Sequence, residues 1–250
     1  MKALLLSLSL LVCTTAAFSQ ELTVAAAADL RPALDEISAK FKANSGIELH
    51  VSYGSSGNFF QQLQNAAPFD VFLSANVDYP KKLEQAGLIA SGTYYEFARG
   101  SIVLMVPYTS RVDLSEGLHA LLTPAVKKIA IANPSHAPYG QAAVAAIKNA
   151  GIYDWVAPHL VMGENISEAA SFVLSGAADI GIVAKSLALA PAAASRVKFA
   201  DVPAKDYPPL LQAMVVLKSS KNQSTAARFE TFMRSDEAKK ILQQYGFELP

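Results

Sequence analysis

Ser55 and Ser56, set between Gly54 and Gly57 and followed by Asn58-Phe59-Phe60-Gln61-Gln62-Leu63, have the type and spacing for anion capture. Serine hydroxyls donate without bulk, glycine lets a backbone approach closely, and N–H groups at a helix start are unpaired and partly positive. Alone, the segment reads equally well as a Ser-capped helix. Three more segments repeat the design of a strand passing through small or polar residues into a helix. They are Ala26-Ala27-Ala28-Asp29, Asn133-Pro134-Ser135-His136-Ala137-Pro138-Tyr139-Gly140 and Gly163-Glu164-Asn165-Ile166-Ser167. Two of the four loops lie in the first third of the chain and two in the middle third. If those thirds are separate lobes, the loops face each other across a cleft. A dianion there would be held by N–H and O–H dipoles rather than by a cationic side chain.

Other chemistry is poorly represented. His50, His119, His136 and His159 are scattered, with no pair at the i, i+4 spacing of a helical zinc site. Gly54-Ser55-Ser56-Gly57 is a residue short of the Gly-x-Ser-x-Gly nucleophile elbow. Glu164 has no visible partner that would make it a general base. No catalytic constellation emerges, which weakens a secreted enzyme as a reading. The 21 basic and 21 acidic residues balance and form no basic cluster, which argues against nucleic acid as a partner.

Residues 1–19 read as a secretory signal: Lys2, an apolar core from Leu4 to Val12, and small residues to Ser19. Cleavage is expected after Ala17 or Ser19. The core is shorter than the roughly 20 apolar residues of a membrane helix. Cys13, the only cysteine, falls inside this segment behind Val12, a poor lipidation context. The mature chain then has no thiol for disulfides, catalysis or metal binding.

The elements that must position the loops alternate. Strands are expected at 22–27, 48–53, 71–73, 102–106, 128–132, 160–162, 180–183 and 211–217. Helices are expected near 30–41, 58–65, 77–86, 141–149, 167–174 and 226–245. Strands separated by helices imply an α/β protein with parallel sheets and ligands at the strand C-terminal ends. No linker divides the chain, but it can cross twice between two lobes, around 94–106 and 202–209.

Six motifs together carry a family resemblance: Val24-Ala25-Ala26-Ala27-Ala28-Asp29-Leu30, Gly54-Ser55-Ser56-Gly57, Pro68-Phe69-Asp70-Val71-Phe72-Leu73-Ser74-Ala75, Asn133 to Gly140, Gly181-Ile182-Val183 and Gln244-Tyr245-Gly246-Phe247. With these the chain resembles the periplasmic molybdate-binding proteins that feed an ABC importer. The resemblance implies a two-lobed periplasmic-binding-protein fold of type II, each lobe a mixed, mainly parallel sheet flanked by helices. Lobe 1 would span 20–103 plus 206–250, and lobe 2 would span 104–205. It implies a periplasmic monomer that grips molybdate or tungstate through the oxyanion oxygens, with no direct metal ligand and no cofactor. Its partners would be a membrane permease and ATPase, with no nucleic acid.

By the same resemblance, Ser56 donates its hydroxyl to the anion, and Tyr139 and Ile166 donate backbone N–H groups. Ser55, Ala184 and Lys185 are further candidates. Ala184 stands where many members carry a tyrosine, which leaves Tyr139 as a replacement hydroxyl and Lys185 as either a site charge or a solvated surface lysine. Asp29 stands where the family commonly has serine. The reading that keeps the family geometry has its carboxylate cap the helix starting at Leu30, with only its N–H on the ligand. Alternatively Asp29 is protonated beside the anion, or it accepts the proton of a ligand such as hydrogen phosphate or a carboxylic acid.

Overall fold

The computed structural model describes residues 21–250. The expected signal segment, with Cys13 and both cleavage points, lies outside the described residues. The described residues form ten strands: β1 (Glu21–Ala27), β2 (Glu48–Gly54), β3 (Val71–Ser74), β4 (Tyr95–Gly100), β5 (Ile102–Pro107), β6 (Ile129–Ala132), β7 (Leu160–Gly163), β8 (Ile180–Ala184), β9 (Val197–Asp201) and β10 (Leu210–Val216). The α-helices are α1 (Arg31–Ser45), α2 (Ser56–Gln64), α3 (Asp78–Gln85), α4 (Pro138–Asn149), α5 (Tyr153–Val156), α6 (Ile166–Leu174), α7 (Lys185–Leu189), α8 (Pro191–Ala194), α9 (Gln223–Met233) and α10 (Asp236–Gln244).

The strands form two five-stranded sheets, ordered β2-β1-β3-β10-β4 and β7-β6-β8-β5-β9. In the first, β1 runs parallel to β2 and β3, and β10 runs against both β3 and β4. In the second, β6 runs parallel to β7 and β8, and β5 runs against β8 and β9. Each sheet is therefore mixed, with one reversed strand. That strand is in both cases the first to follow a crossing between the sheets. The first crossing is at Ser101, so a lobe division at 103/104 falls inside β5. The return runs between Asp201 and Leu210.

The central strands are unbroken apolar runs because helices cover both faces of each sheet. Leu22, Val24, Ala25 and Ala26 of β1 and Ile129 to Ala132 of β6 are fully buried. Helix α1 buries Ala33, Leu34, Ile37 and Phe41 on one face. It stops at Gly46, which takes a left-handed φ of 73° and returns its N–H to Lys42 O. Phe41 meets Phe229 of α9 edge-on at 5.3 Å, which ties the C-terminal helices to the first sheet. Two strands are not separately foreseen from sequence. β4 belongs to one extended stretch with β5, broken only at Ser101, and β9 is a short edge strand with no clear alternation. α2 and α4 also start earlier than expected, at Ser56 and Pro138, which puts Ser56 and Tyr139 in first turns.

Among the described residues, no helix is long and apolar enough to cross a membrane.

Candidate functional site

The four loops singled out by their composition converge. Ala28 and Asp29 after β1, Ser55 and Ser56 after β2, Ala137 to Tyr139 after β6, and Ile166 after β7 line a tight void of about 10 Å³, joined by Ala75 after β3. All sit at the carboxyl ends of strands, where α/β sheets place ligands. Of the expected site residues, Asp29, Ser55, Ser56, Tyr139 and Ile166 are brought together here. Ala184 and Lys185 are not. Ala184 is buried at the end of β8 opposite Ile102, and the Lys185 ammonium pairs with Asp201 at 2.9 Å. Lys185 therefore carries no charge into the void.

The helix starts leave donors over. In α6, Asn165 occupies the cap position and its Oδ1 accepts from Ser167 N–H and Glu168 N–H. Ala169 N–H goes to Asn165 O. Ile166 N–H, at the first helical position, has no intrahelical acceptor. In α4, Ala137 N–H bonds Asn133 O and Gln141 N–H bonds Ala137 O. Between them Pro138 has no N–H, and Tyr139 N–H has no intrahelical acceptor. Ser56 is not a cap; its Oγ accepts Ala75 N–H at 2.9 Å. The hydroxyl proton is thus left to donate elsewhere.

The two lobes touch around the void. Gly57 N–H donates to His136 O at 2.9 Å, and Ser55 Oγ lies 2.8 Å from His136 Nδ1. Asn58 Nδ2 donates to Glu164 Oε1 at 2.6 Å, and His136 Nε2 is 3.6 Å from the same oxygen. Ser167 and Ser186 hydroxyls donate to Ala28 O and Asp29 O, at 2.9 and 2.7 Å. Glu164 is thus a closure contact between the lobes, through Asn58 of the first and beside His136 of its own. The roles of His136 and Ser186 in this seam escape sequence reasoning, because their partners Ser55 and Asp29 are 81 and 157 residues away.

Asp29 corrects a sequence expectation. Its carboxylate caps no helix: the short 3₁₀ turn at Ala28–Leu30 and α1 both lack a side-chain cap. Instead it is fully buried, and Oδ2 accepts from Tyr139 O–H at 2.9 Å and from Gln212 Nε2 at 2.6 Å. Gln212 Nε2 also lies 3.2 Å from the Tyr139 oxygen. Tyr139 O–H is thus committed to Asp29 and does not replace the family's phenolic donor. Burial pushes the Asp29 carboxyl up to about 6, against the Gln212 and Tyr139 hydrogen bonds that favour its ionised form. Burial and the neighbouring carboxylate hold the Tyr139 phenol well above its ordinary range, so it remains a donor. Gln212 is the site-adjacent residue that sequence reading overlooks. Its signal is a lone amide inside the apolar run Leu210–Val216.

Two lobes of 2-1-3-n-4 strand order, closing over a small void rimmed by helix starts, define a solute-binding protein of the two-lobed class. The sequence profile described as "Bacterial extracellular solute-binding protein" matches residues 22–248. The chain is 35% identical over 227 residues to molybdate-binding protein ModA of Rhodobacter capsulatus, covering 91% of this chain and 88% of that one. It is 34% identical over 244 residues to molybdate-binding protein ModA of Azotobacter vinelandii, covering 98% and 95%. The solved periplasmic molybdate-binding protein of A. vinelandii superposes with a TM-score of 0.85 at 31% identity, over 92% of this chain and 99% of that one. The sulfate-binding protein SubI of Mycobacterium tuberculosis, at 18% identity and a TM-score of 0.77, shares the fold. This chain belongs to the family of periplasmic molybdate-binding proteins.

Proposed function

We propose that this protein captures molybdate, and tungstate, in the void between its lobes and delivers it to the permease and ATPase of an ABC importer. It works outside the cytoplasm as a monomeric carrier without turnover and needs no cofactor. The observation that supports this reading is the convergence of unpaired donors from both lobes on one small void. Ser56 O–H comes from the first lobe, and Tyr139 N–H and Ile166 N–H come from the second. A tetrahedral oxyanion offers acceptors in every direction and so satisfies donors that arrive from opposite walls. Among the described residues no lysine or arginine lines the void, so the charge is met by dipoles. Family membership at 34–35% identity to two molybdate-binding proteins supports the choice of anion.

A thermal-shift series on the signal-free chain tests it. Ligand at a hundredfold excess over Kd stabilises the native state by about 2.7 kcal/mol. For a chain of this size that is a rise of roughly 5–11 °C. Molybdate and tungstate should produce it, sulfate a smaller rise, and phosphate near neutral pH little. A large shift with phosphate and none with molybdate would replace this reading by one in which Asp29 accepts a ligand proton.

A further inference from the structure

Among the described residues two buried side-chain atoms lack a partner, Oδ1 of Asp29, which lines the void, and Oε1 of the neighbouring Gln212. Asp29 Oδ2 is saturated by Tyr139 and Gln212, while Oδ1, equally buried, has no partner among the described residues. The groups on the elements around it supply no counter-charge. On α1, the Arg31 guanidinium stacks on the Tyr53 ring at 4.2 Å, Asp35 accepts from Tyr53 O–H, and Glu36 accepts from Tyr245 O–H. On α7, Lys185 pairs with Asp201, and on α6, Glu168 accepts from Glu164 N–H. α4 presents the neutral Tyr139 phenol, and β10 presents the Gln212 amide. An ionised Asp29 would therefore face a dianion with no cation between them, a repulsion that low-dielectric burial magnifies.

Resting on the oxyanion reading above, we propose that Asp29 is the acid of the donor cage: its Oδ1 carries a proton and donates it as a hydrogen bond to the bound oxyanion, so capture takes up one proton. Tyr139 and Gln212 are positioning residues that occupy Oδ2 and leave Oδ1 as the atom to be protonated. Balance is simple, since the proton comes from solvent when the anion binds and returns when it leaves. Burial already lifts the carboxyl to about 6, and an incoming dianion lifts it further. Between those two values binding is coupled to protonation, and affinity rises as pH falls toward the lower one. Below about pH 6 the carboxyl is protonated in both states and the dependence levels off.

Calorimetric titration of the signal-free chain with molybdate at pH 6, 7 and 8, each in two buffers of different ionisation enthalpy, reads the proton directly. The parent should take up close to one proton at pH 8 and lose affinity by up to tenfold per pH unit above 6. Asp29→Asn presents a neutral N–H donor, so it should take up no proton and bind about tenfold or more tightly than the parent at pH 8. Binding by the parent with flat affinity and no proton uptake overturns the proposal and leaves the oxyanion reading standing. Weaker binding by Asp29→Asn at pH 8, with its melting curve intact, also overturns it. If neither molybdate nor tungstate binds either protein at any pH, both readings fall together. The parent measurement stands even if the variant does not fold.

Discussion

One hydroxyl at Ser56 serves two partners. Its oxygen accepts the buried N–H of Ala75, and its proton is free for the anion. Ser56→Ala should therefore weaken molybdate binding by about 1.5–3 kcal/mol, the range for a hydrogen bond to a charged group. It should also destabilise the unliganded chain by about 1–3 kcal/mol, because Ala75 N–H loses its acceptor. Titration calorimetry and urea unfolding measure the two separately. A stability loss with unchanged affinity would make Ser56 a purely structural residue. That Ser56 belongs to an anion loop is legible from its glycine and serine neighbours. Its bond to Ala75 is not, since β3 is brought beside it only by the sheet. Asp29 shows the same limit more sharply. Its position before a helix suggests a cap, but Tyr139 and Gln212, 110 and 183 residues away, draw the carboxylate elsewhere.

Each element of the site is a strand that ends where a helix begins, and the seam between lobes is built from those junctions. Gly57 in the first turn of α2 lies so close to the opposite lobe that an added Cβ would sit 2.5 Å from His136 O. Because the obstacle is backbone, it cannot rotate aside. Gly57→Ala should hold the lobes apart and cost at least tenfold in molybdate affinity, about 1.4 kcal/mol. Circular dichroism should remain that of the parent, since the three atoms nearest the new methyl all belong to His136 of the opposite lobe. Unchanged affinity would mean that closure at this seam is not needed for capture. Most of the fold is readable at this scale, because burial faces are local patterns. The α1 stripe of Leu34, Ile37 and Phe41 and the runs at Val71–Ser74 and Ile180–Ala184 identify their elements directly. β9 escapes notice because it is an edge strand whose only ladder is to β5.

At the scale of the whole molecule, the first lobe is made from both ends of the chain and the second from an uninterrupted middle. Phe229 of α9, fully buried against Phe41 of α1, fastens the two ends together. Phe229→Ala should cost roughly 3–5 kcal/mol of stability through the cavity it leaves. Molybdate affinity should stay within about threefold, since the residue is remote from the void. Urea unfolding with calorimetry on the same preparation checks both, and a large affinity loss would show that lobe packing feeds into the site. Chain crossing at Ser101 is legible as an extended stretch, but the sheet orders are not, because pairing between residues as far apart in sequence as Ser74 and Ala213 leaves no local mark. The placement of β10 has a consequence for how the chain is made. It sits between β3 and β4, so the first sheet lacks an inner strand until the ribosome has completed the entire second lobe. Loop-closure entropy makes such a late insertion slow. A nascent chain bearing an export signal would thereby be kept from locking its first lobe early, and would stay threadable while it travels.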